Sequence, residues 1–193
     1  LKPQPLKDCL HPPIGIASAL PSAAMAMELD QVFVIDESPE EALGAAYQKM
    51  DAARATGDER GRALSLIKAG EALVLLGQAN DAWGSVAEAM SLCSDMKFEE
   101  GRAAATNVMA KVSLKKGGDE EDLEEALDSA TDALKLFRKL GFRKGEAVAL
   151  TTLAGVYQAS KKAALAIKSA KEALAIFAEL GEKRAMAETY DAV

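Results

Sequence analysis

Apolar residues recur along most of this chain at the three-and-four spacing of a helix, interrupted roughly every twenty residues by a glycine or a charged turn. The sharpest opening is Ser38-Pro39-Glu40-Glu41. Serine there can cap the helix, proline suits its first turn, and Glu41 completes a capping box. That helix is predicted to run to about Ala55 and to stop at Thr56-Gly57. Further helices are predicted over about 59–76, 80–95, 99–115, 120–139, 143–159 and 162–179, with another beginning near 183. The breaks fall at Gly77, Lys97-Phe98, Gly117-Gly118, Gly141, around Ser160 and at Gly181, where glycine past a helix end supplies a left-handed stop. Upstream, Ser22 to Glu37 admits two readings. Met25, Leu29, Val32 and Phe33 share a helical face, whereas Val32 to Ile35 would suit a short strand; helix is the expectation.

The segments are copies of a longer unit. Leu140-Gly141 with its charged turn returns as Leu180-Gly181 after 40 residues. Gly61, Gly101, Gly145 and Ala185 hold one place in this register, at separations of 40, 44 and 40. Nineteen residues before each stands Ala42, Ala82, Ala126 or Ala166, and eighteen before stands Leu43, Trp83, Leu127 or Ile167. Eleven before stand Met50, Met90, Leu134 and Leu174; eight before stand Ala53, Cys93, Phe137 and Phe177. These offsets fall on one helical stripe, with alanine where two helices approach closely and larger residues beside it. The four extra residues of the long unit lie in Gly117–Asp122, a turn, where added length costs little. The pattern predicts an all-α fold, a right-handed α-solenoid of antiparallel helix pairs.

Leu153-Ala154 with Tyr157, then Ala166, Ala170 and Ala173, resembles the tetratricopeptide-repeat signature, as do Gly70, Gly77, Ala82 and Ala89 before them. The 40-residue period is similar to the longer-helix variety found in kinesin light chains. The resemblance spans Ser38 to Leu180, about three and a half units. Ser113 departs from it, standing where a large aromatic is usual, which puts the packing of that unit in question.

Composition narrows the picture. The chain has 193 residues, 49% of them hydrophobic but only 5% aromatic, and a formal charge of −7. An acidic balance argues against nucleic acid as partner, because nonspecific affinity for phosphate comes from clustered Lys and Arg. Five of six prolines fall in Leu1–Pro21, so residues 1–21 are expected to form an extended arm, 22–37 a lead-in, and 38–193 the solenoid, truncated midway through a first helix. A chain without an initial Met, and with two early lysines before Ala24-Met25-Ala26, also admits a targeting remnant; the arm is the preferred reading. No apolar run is long enough for a transmembrane helix, so membrane association is expected only through a partner. Two cysteines do not make a disulfide framework and agree with a reducing compartment.

Candidate chemistry is sparse. His11 lies between Leu10 and Pro12 in the arm, and Cys93 falls on the apolar stripe beside Phe137 and Phe177, where a packed, inert thiol is expected. Asp119 to Asp122 lacks the spacing of a calcium loop and reads as a solvated turn favouring the next helix N-terminus. Trp83 aligns with Leu43, Leu127 and Ile167 and is expected in the core. No cofactor, metal or catalytic set is expected.

What the resemblance implies is a concave groove, lined by the first helix of each unit, that holds a partner's peptide or helix. Its residues here would be Leu64, Ile67, Glu71 and Val74, then Asn107, Lys111 and Leu114, then Val148, Thr151 and Gln158. Asn107 and Lys111 stand one turn apart and could donate together to a carboxylate or a peptide backbone. The function expected is therefore a non-enzymatic adaptor that binds protein through its groove, ends or arm. The alternative is a permanent accessory subunit of a large complex, anchored by the arm. A more distant reading is a regulatory repeat domain of a larger protein.

Overall fold

The computed structural model describes residues 29, 31–33, 37–116 and 119–191. The arm with Cys9 and His11, its targeting alternative, and the Gly117-Gly118 break lie outside them. Among the described residues the chain forms no strand, and from Pro39 onward it forms eight helices: α1 (Pro39–Thr56), α2 (Glu59–Leu75), α3 (Ala79–Asp95), α4 (Glu99–Lys116), α5 (Glu120–Leu140), α6 (Arg143–Ala159), α7 (Ala163–Leu180) and α8 (Lys183–Asp191). Every bound lies within one residue of the sequence expectation.

Local chemistry accounts for the bounds. Ser38 Oγ accepts from Glu41 N at 3.3 Å while Ser38 N donates to Glu41 Oε2 at 3.2 Å, the reciprocal capping box. Asp58 and Asp119 cap α2 and α5 by accepting from Gly61 N and Asp122 N, each at 2.9 Å. The turns that follow α1, α3, α5 and α7 repeat one device. Asp58 N, Phe98 N, Phe142 N and Glu182 N each donate back to the carbonyl of Ala53, Cys93, Phe137 and Phe177, at 2.8–3.0 Å. This places a left-handed residue before each of them, glycine at 57, 141 and 181 but Lys97 (φ 55°) in the second unit.

Turns this short make successive helices antiparallel, and each helix packs on the next. In addition α2 packs on α4 and α4 on α6, so these helices form one layer and α1, α3, α5 and α7 the other. That alternation is an α-solenoid. The register explains the seam between layers. Ala42, Ala82, Ala126 and Ala166 are buried, as are Ala53, Cys93, Phe137 and Phe177. Ser113, small at a position expected to be aromatic, is fully buried and donates from Oγ to Met109 O at 3.2 Å.

One core expectation fails. Trp83 is 46% exposed, as is Ile167, while Leu43 and Leu127 are half-buried. The position one residue past the seam alanine turns 100° away from it and lies at the edge of the stripe. Trp83 lies within 5.9 Å of Lys116 Nζ at that edge.

The lead-in departs from the solenoid path. Leu29 and residues 31–33 are helical, with Leu29 and Val32 buried. Phe33 does not stop at the adjacent unit. Its ring lies 6.0 Å from that of Phe137 and 6.2 Å from that of Phe142, about a hundred residues downstream. Lys68 Nζ donates to Gln31 O at 2.7 Å, tying the same segment to α2.

Candidate binding cleft

The cleft is built by side chains of α4, α6 and α8. Lys111 and Leu114 come from α4; Lys144, Val148, Thr151, Thr152 and Gly155 from α6; Arg184, Ala185, Glu188 and Thr189 from α8. Phe33, Phe177 and Glu182 complete the lining around a cavity of about 390 Å³. Leu114, Val148, Phe33 and Phe177 give the lining its apolar part, and Gly155 contributes open space, since the nearest atom to a Cβ built there is Leu114 Cδ2 at 3.7 Å.

The rim is charged and hydroxylated. Lys111 Nζ donates to both oxygens of Glu71, at 2.7 and 3.0 Å, joining α4 to α2. Lys144 Nζ donates to Glu182 Oε1 at 2.9 Å, joining α6 to the start of α8. The Thr151 and Thr189 hydroxyls lie 3.0 Å apart across the same two helices. An amphipathic segment could bury its apolar side on the apolar lining and pair its polar side with these groups.

Of the residues expected to line a groove, Lys111, Leu114, Val148 and Thr151 converge on this cleft. Leu64 lines a second, larger cavity of about 800 Å³ between α1 and α2. Glu71 is buried beneath Lys111 as its partner. Gln158 is exposed outside both linings. Ile67 and Val74 are in the core at 0% and 4% exposure, so their side chains are packing groups and not surface contacts. Asn107 is also fully buried, and neither its amide nitrogen nor its oxygen has a hydrogen-bond partner. Its expected cooperation with Lys111 on a ligand meets a different arrangement, in which the ammonium is held by Glu71.

Sequence reasoning missed Lys144, Thr152, Arg184, Thr189 and Phe33. A partial signal existed for the cations: Arg60, Lys144 and Arg184 hold one place in the register, directly before the repeat glycine or alanine, although Glu100 holds it in the second unit. Cys93 is buried and free, and desolvation pushes its thiol up to about 11 against the lesser opposing pull of Arg60, which leaves it unreactive at neutral pH. Among the described residues no group of three His, Cys, Asp or Glu side chains could hold a metal, and no helix is long and apolar enough to cross a membrane.

No family model and no curated protein matches the chain. Among solved structures it is similar to a de novo designed helical repeat protein, at 17% identity and a TM-score of 0.39, over 86% of this chain and 88% of that one. The solenoid assignment rests on the helix order and packing described above.

Proposed function

We propose that this chain is a non-catalytic protein-binding module of the tetratricopeptide kind, which takes a segment of a partner protein into the cleft between α4, α6 and α8. The observation that carries the reading is the cleft itself. Side chains of three helices converge on an apolar lining with a charged and hydroxylated rim, and the chain's own Phe33 forms part of that lining. Clefts of this volume and lining suit a few side chains of a peptide or helix. The repeat glycine and alanine register, and the resemblance to tetratricopeptide repeats that it carries, support the same conclusion.

Gly155→Leu tests it. A Cβ at this helical position meets only ordinary contact, and Gly155 lines the cleft, so a larger side chain here adds bulk where a partner would sit. Peptides should be selected from a displayed random library on the wild-type chain, and their affinities then measured for both proteins. A loss of tenfold or more in the variant, with an unchanged or raised melting temperature, is the expected result. Selected peptides that bind both proteins equally would place recognition elsewhere.

A further inference from the structure

In a solenoid each unit touches its neighbours. The contact of Phe33 with Phe137 and Phe142 breaks that rule, because the lead-in crosses to a unit far along the chain. Its position relative to open space is informative. Gln31 and Val32 line the larger cavity beside α1 and α2, Phe33 lines the cleft beside α6 and α8, and Lys144 borders both. Residues 31–33 therefore stand between two cavities of about 800 and 390 Å³. Leu29, Val32 and Phe33 follow the i, i+3, i+4 spacing of a helix that lays one apolar face into a groove.

We infer that this segment is a displaceable self-ligand. It occupies the part of the groove that a partner needs, and a foreign helix with the same apolar spacing, ending in an aromatic residue, docks by displacing it. The inference rests on the cleft being a binding site and adds what regulates it and what fits it. Tethering gives the internal segment a high effective concentration, so a partner meets only the open fraction of molecules, and its apparent affinity is lowered by that fraction. The aromatic seat formed by Phe137 and Phe142 supplies selectivity for the last position, since edge and offset ring contacts add to burial.

The probe is a fluorescein-labelled peptide of residues 22–38, titrated into the full-length chain and followed by anisotropy. Three proteins are compared: wild type, the triple variant Leu29→Ser/Val32→Ser/Phe33→Ser, and the milder Phe33→Ala. The triple variant should bind the peptide at least tenfold more tightly than wild type, and Phe33→Ala about threefold. Should the triple variant fail to fold by circular dichroism, the single variant gives the same comparison. Equal affinity for all three proteins, or no binding to a folded variant, overturns the inference. Failure of the proposed function reads differently: the library would yield no foreign peptide while the variants still bound the 22–38 peptide, leaving the groove as an internal seat alone.

Discussion

A single methyl group distinguishes the two kinds of glycine in α6. A Cβ built on Gly145 would stand 2.5 Å from the Phe137 ring and 2.6 Å from that of Phe142, both buried and held by their neighbours. At Gly155 the nearest such contact is an ordinary 3.7 Å. Alanine is favoured over glycine within a helix by roughly 0.5–1 kcal/mol, but overpacking a closed site costs about 1–3 kcal/mol. Overpacking wins at the first position and is absent at the second. Gly145→Ala is expected to destabilise by about 1–2 kcal/mol and Gly155→Ala to stabilise by about 0.5–1 kcal/mol, read from urea unfolding midpoints at constant m. Equal shifts for both would show that the aromatic pair yields freely. The fourth unit has the complementary arrangement, with Ala185 in the glycine's place and Glu182 where Phe142 stands.

Between elements, the pair of Glu71 and Lys111 ties α2 to α4 with a side-chain exposure of 8% on the acid and 30% on the base. Removing only the lysine leaves a buried carboxylate without its counter-charge, whereas replacing both groups by apolar ones removes the problem. Lys111→Met is expected to cost about 2–3 kcal/mol, less than a fully buried pair because the ammonium keeps partial access to water. Glu71→Leu/Lys111→Met should recover most of that loss, and a double-mutant cycle in urea measures the coupling; additive single effects would mean that the pair is incidental. The helices on either side were legible in the chain because caps, glycine stops and apolar spacing are all local signals, agreeing at Ser38, Gly141 and Gly181. Local signals ended at the side-chain environment. Trp83 shares a register with Leu127, but register alone does not say which edge of a stripe faces water. Lys111 was recognisable as a face of α4, yet its partner lies forty residues earlier. Phe33 and Phe137 meet across a separation that no periodicity encodes.

For the whole molecule, the layers are unequal in support. Helix α4 packs on α2, α3, α5 and α6, whereas the principal packing partner of the nine-residue α8 is α7. Solenoid stability is close to a sum of unit and nearest-neighbour terms, so an element with fewer interfaces opens at lower free energy than the global transition. The same helix forms one wall of the cleft through Arg184, Glu188 and Thr189. Elements that receive ligands are commonly drawn from the least stable part of a structure, since they must adjust to what binds. Native hydrogen exchange followed by mass spectrometry should therefore show α8 amides exchanging on the order of a hundredfold faster than those of α4. A library-selected peptide held well above its dissociation constant should slow exchange in α8 more than in any other helix, because binding stabilises closed states by mass action. If α8 were as protected as α4 without peptide, the cleft would be a rigid wall and partner affinity would depend on its shape alone. If peptide slowed exchange chiefly in α1 or α3, the seat would lie on the other layer, and the exposed Trp83 edge would be the surface to mutate.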